Sequence, residues 1–155
     1  MEYSRTYPSP PGILTLTASE EGLTGLYLRP PTEKERSLPD ASPVFAEAEN
    51  WLERYFRGEA PSPAELPLAP RGTGFRMLIW KLLLKIPYGE TRTYGDLAAE
   101  AAAILGKPNM SAQAVGGAVG HNPISILIPC HRVVGTDGSL TGYAGGNATG
   151  RKIYD

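Results

Sequence analysis

The stretch Ile126-Leu-Ile-Pro-Cys-His-Arg-Val-Val134 decides how the rest of the chain is read. It holds the only cysteine, Cys130, followed by His131, one of two histidines, and by Arg132. Ile124, Ile126, Leu127 and Ile128 form an apolar run into it and Val133-Val134 lead out, so a buried strand entering the cysteine is expected. Cations beside a thiol lower its pKa, and the thiolate is the nucleophile. The competing reading is a core cysteine that packs as a small hydrophobe. A segment meant only for packing has no use for His-Arg at its end, so the pattern favours a reactive sulfur.

Working outward toward the N-terminus, His121-Asn122-Pro123 reads as a turn, preceded by a short helix from Ser111, its N-cap, to Val119. Ala112, Ala114, Gly116, Gly117 and Ala118 leave that helix nearly bare, and Gly120 follows. Each interior glycine costs roughly 1 kcal/mol relative to alanine. Such a cost is accepted where backbone must come close to something bulky. Two readings stand: a bare second helix of a helix-turn-helix entering the minor groove, about 6 Å wide, or close helix–helix packing inside the domain. Thr93-Tyr-Gly-Asp96 has the form of a capping box and opens an alanine-rich helix to Leu105, closed by Gly106. Gly74 to Ile86 is an amphipathic helix with Phe75, Leu78, Ile79, Leu82, Leu83 and Ile86 inward, ended by Pro87-Tyr-Gly89. Beyond the cysteine lie a turn, Gly135-Thr-Asp-Gly138, and a glycine-rich loop, Leu140 to Gly146, with one aromatic, Tyr143.

In the first half, Ile13–Thr17 and Leu23–Leu28 read as a hairpin, and Arg29–Ser42 as a loop. Pro43–Arg57 has helical period, with Phe45, Ala48, Trp51, Leu52, Tyr55 and Phe56 on one side, Ser42 as N-cap and Gly58 as stop. Glu59–Pro70 carries four prolines and reads as an extended linker. Residues 1–70 and 71–155 are therefore expected to be two domains.

The chain has 155 residues, 41% of them hydrophobic, enough to bury a core. A single cysteine excludes an internal disulfide, and with two histidines leaves too few ligands for a structural zinc site, which points to a reducing, cytoplasmic setting. The first residues lack a signal-peptide core, and no apolar run approaches the roughly 18 residues of a membrane span. Residues 1–70 hold six Lys and Arg against eleven Asp and Glu, net −5, while residues 71–155 hold nine against five, net +4. The asymmetry suggests that the second half meets a polyanion, although four charges over that length also suit a solvated surface.

Taken together, Tyr94, Ala114-Val-Gly-Gly-Ala118, Asn122-Pro123, Ile128-Pro-Cys-His-Arg-Val-Val134 and Gly142-Tyr-Ala-Gly-Gly146 resemble the O6-alkylguanine-DNA alkyltransferases in order and spacing. The match covers nearly all of residues 72–146. The resemblance implies an α/β N-terminal domain of ribonuclease H-like topology and a mainly helical C-terminal domain of winged-helix, helix-turn-helix-like form that binds DNA and carries the alkyltransferase. It implies transfer of an alkyl group from O6 of guanine to Cys130, once per molecule, and leaves open whether O4 of thymine also serves. A soft, ionisable sulfur suits in-line displacement at an alkyl carbon. His131 would act as base through water, and Tyr94 would protonate the leaving guanine. The base must be flipped out of the duplex, at a cost of a few kcal/mol. Tyr143 would lie against it, the Ala144 amide and Gly145 near O6, and the Val133 carbonyl at its exocyclic amine. Asn122 would brace the helix-turn-helix against the cysteine loop. Ala112, Ala114 and Gly116 would line the minor groove, with Thr93, Ser111, Gln113, Gly120 and Arg132 as further DNA contacts. No metal, nucleotide or methyl-donor cofactor is implied, because the lesion supplies the alkyl group. The expected partner is double-stranded DNA bearing O6-alkylguanine, met by a monomer with no membrane association.

Two departures from the family pattern bear on strength. Many members carry an arginine that fills the gap left by the flipped base, where this chain has Gln113. Glutamine is shorter and uncharged, so weaker binding is expected. The family also places a glutamate that orients the histidine on a final helix, and its position lies past Asp155 in these 155 residues. Without it His131 is expected to be a poorer base, which keeps a non-catalytic binder of alkylated DNA as the alternative. A Cys-His hydrolase is the third reading. On a strand adjacent side chains point to opposite faces, so Cys130 and His131 would need a turn to meet.

Overall fold

The computed structural model describes residues 1–135. The described chain divides into two units, Met1–Arg71 with Pro123–Ser125, and Gly72–Asn122 with the chain from Ile126 onward.

In the first unit the expected hairpin forms as β2, Gly12–Ser19, and β3, Gly22–Tyr27. A further strand, β1, Tyr3–Ser9, pairs antiparallel with β2. Its alternation is masked by polar residues, so the pattern alone did not mark it. The sheet order is β1-β2-β3. Helix α2, Val44–Phe56, begins as the sequence indicates: Pro43 already has helical dihedrals, and Ser42 Oγ accepts from the Val44 N–H at 3.4 Å. It packs on β2 and β3. Phe45, Ala48, Trp51, Leu52 and Tyr55 are buried against Leu14, Leu16 and Leu26. Each such aliphatic or aromatic side chain contributes about 1.5–3 kcal/mol.

Two stretches differ from the sequence reading. The loop after β3 contains a one-turn helix, α1, Glu33–Arg36, set by a capping box between Thr32 and Glu35. The proline-rich stretch does not run free. Leu23 donates to the Pro67 carbonyl at 2.9 Å and accepts from Ala69 at 2.8 Å, a parallel bridge onto the outer edge of β3. Gly22 permits this: its φ is +148°, and a Cβ there would collide with the Pro67 carbonyl. Farther along the same edge Leu26 donates to the Pro123 carbonyl at 2.8 Å and accepts from Ser125 at 3.0 Å.

The second unit is helical. Helix α3, Gly74–Leu83, is capped by Thr73, and α4, Tyr94–Leu105, opens with the reciprocal Thr93–Asp96 capping box and closes on Gly106 at φ +67°. Helix α5, Ala112–Gly120, is capped by Ser111 and packs on both α3 and α4. Two short strands, β4, Arg92–Thr93, and β5, Val133–Val134, pair in parallel. The strand expected to enter Cys130 is absent. The chain there turns, and Cys130–Arg132 is a single 3-10 turn. The apolar run is real, with Ile124, Ile126, Leu127 and Ile128 all buried. Burial from every side gives the same pattern as a buried strand, so composition could not separate them. Among the described residues no helix is long and apolar enough to cross a membrane.

Arg29 grips Glu35 through both carboxylate oxygens, at 2.7 and 3.1 Å. That hydrogen bond, aided by the Thr32 N–H, outweighs burial and draws the Glu35 pKa from 4.5 to about 2. A depressed carboxylate stabilises the fold above its unfolded value and loses the effect as pH falls through its folded one. Glu35→Gln is expected to cost about 1–2 kcal/mol at pH 7, measured by denaturant unfolding. The gap from the parent chain should close between pH 4.5 and about 2; a gap that persists to the acid end contradicts the pairing.

Candidate active site and nucleic-acid interface

The active-site turn is built around a proline. Pro129 has φ −80° and ψ 67°, the dihedrals of an inverse γ-turn. Its ring fixes φ in that range. The Cys130 N–H donates to the Ile128 carbonyl at 2.8 Å and closes the turn. Asn122 Nδ2 donates to the same carbonyl at 2.7 Å. A carbonyl oxygen has two lone pairs, and here both are used. One hydrogen bond shapes the turn and the other ties it to the end of α5, where the Asn122 N–H is held by the Val119 carbonyl at 3.2 Å. The Arg132 N–H then bonds the Pro129 carbonyl at 3.0 Å and completes the 3-10 turn. Four residues before Cys130, Ile126 has φ +71°. A side-chain-bearing residue in that region costs roughly 1–2 kcal/mol, so packing around the buried Ile126 holds a strained backbone.

Cys130 is 1% exposed and His131 7%. The γ-turn and 3-10 turn supply the change of direction that a strand would lack. Tyr94 reaches the same place from another element. Arg92 pairs with Val133 and Thr93 with Val134, so the first residue of α4 emerges beside the active-site turn. Burial raises the Tyr94 pKa above 10.0, and the Cys130 charge raises it further. The phenol therefore keeps its proton through neutral pH and can donate it. The half-buried Tyr94 ring also meets α5: a Cβ on Gly116 would sit 3.9 Å from it. Gly116 is therefore placed against the phenol.

Helix α5 is packed on one side and open on the other. Val115, Ala118 and Val119 are buried toward α3 and α4, and Trp80 Nε1 donates to the Ala118 carbonyl at 2.9 Å. Ala112, Gln113, Ala114 and Gly117 are exposed, and a Cβ on Gly117 would meet nothing within 4 Å. One side is thus close packing and the other a smooth open ridge. Gly120 is half-buried near the end of that ridge. Ser111 Oγ accepts from Gln113 and Ala114, at 3.1 and 3.2 Å, and Thr93 Oγ1 accepts from Asp96 at 3.0 Å. Each hydroxyl keeps its own proton to donate, and each helix presents its N-terminus there.

Arg132 is placed differently from a groove-facing cation. It is 8% exposed, its Nη1 donates to the Ile86 carbonyl at 2.7 Å, and its guanidinium lies 5.6 Å from the centre of the Tyr88 ring. Val133 is fully buried. Tyr143, Ala144 and Gly145 lie outside the described residues. Among the described residues no three His, Cys, Asp or Glu gather as metal ligands would. Gly117 was not among the residues singled out for the interface. Its signal was helical spacing: it lies four residues after Gln113 and three after Ala114, on the same face. The Trp80–Ala118 and Arg132–Ile86 bonds span 38 and 46 residues and left no local signal.

The family model described as the DNA-binding domain of 6-O-methylguanine DNA methyltransferase matches residues 74–155. The one described as its ribonuclease-like domain matches residues 3–70. A Haemophilus influenzae methylated-DNA–protein-cysteine methyltransferase is 44% identical over 151 residues, covering 93% of this chain and 79% of that protein. A crystal structure of the Mycobacterium tuberculosis O6-methylguanine methyltransferase superposes with a TM-score of 0.81 at 42% identity, covering 99% of this chain and 90% of that one. A structure of the Mycobacterium tuberculosis protein in complex with DNA matches with a TM-score of 0.80 at 43% identity, covering 96% and 88%.

Removing the Asn122 side chain takes one of two donors from a buried carbonyl. Asn122→Ala is expected to cost about 1–3 kcal/mol in denaturant unfolding. It should also quicken Cys130 labelling by a thiol reagent, since the buried sulfur is shielded only while the turn is held. Unchanged stability and labelling would show that Asn122 does not hold the turn.

Proposed function

The chain belongs to the 6-O-methylguanine DNA methyltransferase family, and from that footing we propose how its residues divide the reaction. The protein repairs DNA by moving the alkyl group from O6 of guanine to a cysteine. With one cysteine in the chain, Cys130 is the acceptor, and this is the observation that carries the assignment. The sulfur attacks the alkyl carbon in line, the S–C bond forms, and the C–O6 bond breaks with its electron pair going to guanine. His131 draws the thiol proton away through water, and the Tyr94 hydroxyl gives a proton to the departing base. The phenol is protonated at working pH, as a donor must be, and it lies close enough to Cys130 to feel its charge. The thioether has no leaving group at neutral pH, so each molecule acts once.

Delivery rests on α5. Its exposed ridge of Ala112, Ala114 and Gly117 is thin enough for the minor groove, and Gln113, exposed beside them, would fill the gap left by the flipped base. Gly116 brings the helix against Tyr94, so the element that opens the duplex adjoins the proton donor. Ser111 and Thr93 take phosphates through their hydroxyls and helix N-termini. Tyr143, Ala144, Gly145 and the Val133 carbonyl complete the pocket for the base, as in the family. A thiol that must stay reduced suits the cytoplasm.

Incubation with duplex DNA carrying O6-methylguanine should add one methyl group per protein, read by intact mass, and Cys130→Ala should abolish the gain while keeping DNA binding. Binding with no mass gain in the parent chain would favour the non-catalytic reading. Gly117→Leu should keep thermal stability, since the position opens to solvent and glycine is a poor helix former. It should weaken duplex binding about tenfold or more by blocking groove entry. Undiminished affinity would move the interface off this ridge.

A further inference from the structure

The loop from Ile86 to Tyr94 connects α3 to the proposed proton donor. Its middle is a type II turn: Glu90 N–H bonds the Pro87 carbonyl at 3.1 Å, and Gly89 supplies φ +81° at the third position. Pro87 through Glu90 are all exposed, so burial does little to fix them. The loop is instead tied at its far end to β5 and at its near end to the 3-10 turn itself. At the far end, Arg92 and Thr93 pair with Val133 and Val134. At the near end, Arg132 Nη1 reaches back to the Ile86 carbonyl at 2.7 Å, with its guanidinium against the Tyr88 ring. The bond is buried, and it satisfies a carbonyl in the turns that follow α3. Arg132 follows His131 in the same 3-10 turn as Cys130. One side chain thus joins the turn that carries the sulfur to the start of the loop that leads into α4 and its first residue, Tyr94.

We infer that Arg132 is a positioning residue for alkyl transfer, not a DNA contact: its guanidinium, covered by Tyr88, clamps the Ile86–Tyr94 loop so that the Tyr94 hydroxyl is held at Cys130. The inference rests on the assignment of Tyr94 as proton donor. Loss of the clamp lets Tyr94 wander while leaving the α5 ridge and its charge pattern intact. The effect therefore falls on the chemical step at saturating DNA.

The test is a double-mutant cycle on the full chain, read as the single-turnover rate of methyl transfer from saturating O6-methylguanine duplex. Tyr94→Phe should slow transfer about 100-fold, the lower range for loss of a general acid. Arg132→Met should slow it about tenfold or more through misplacement. In the Tyr94→Phe background Arg132→Met should add less than about twofold, because its effect passes through the missing hydroxyl. Affinity for unmodified duplex and its dependence on salt should stay as in the parent chain. If Arg132→Met does not fold, Tyr88→Ala carries the cycle alone, since Tyr88 is 38% exposed. Effects that multiply in full mean that Arg132 serves only stability, and the inference falls. A salt slope reduced by about one, with transfer at saturation unchanged, makes Arg132 a phosphate contact and also overturns it. If Tyr94→Phe alone leaves the rate intact, the donor assignment fails first and the inference goes with it.

Discussion

The carbonyl oxygen of Ile128 accepts two hydrogen bonds, from the Cys130 N–H and from Asn122 Nδ2, and the shape of the turn that carries Cys130 depends on that shared acceptor. The first bond makes the γ-turn that aims Cys130. The second makes that turn continuous with the end of α5. In a buried, low-dielectric setting both bonds are strong, and an unmet carbonyl would be costly. The strain at Ile126 is tolerable for the same reason, since the turn is held from more than one side.

Seen this way, α5 has two jobs divided by face. Its buried side and the Trp80 bond fix it to α3 and α4. Its open side has nothing but small residues and Gln113. The glycines weaken the helix in isolation; a Cβ on Gly116 would reach the Tyr94 ring at an ordinary contact distance of 3.9 Å, and one on Gly117 would meet nothing within 4 Å. Close packing and the proposed duplex contact are therefore not rival explanations of the bare sequence. They account for different residues of it.

The family signature, the capping box at Thr93, the caps at Ser42 and Ser111 and the apolar faces of α2 and α3 were all legible in the chain. These are local: a cap is decided by residues three apart, and a helical face by a period of 3.6. Less legible were β1, whose polar residues hide its pairing, and the stretch around Leu68, where prolines argued for a free linker. Its docking depends on Gly22, more than forty residues away in the chain. The course of the chain into Cys130 was misread for a related reason. A run of buried isoleucines and leucines records only that water is excluded, not the shape of the backbone that excludes it.

By itself, then, the sequence determined the nucleophile, its neighbours in the chain and the order of the helices, because those follow from residue identity and short-range spacing. The tertiary structure decided that Cys130 sits on a turn instead of a strand and that Gly116 faces the phenol while Gly117 faces outward. It also turned Arg132 inward to the Ile86 carbonyl. Each of these is a meeting of groups far apart in the chain, and such meetings are fixed only when packing and hydrogen-bond satisfaction are solved for the whole unit at once.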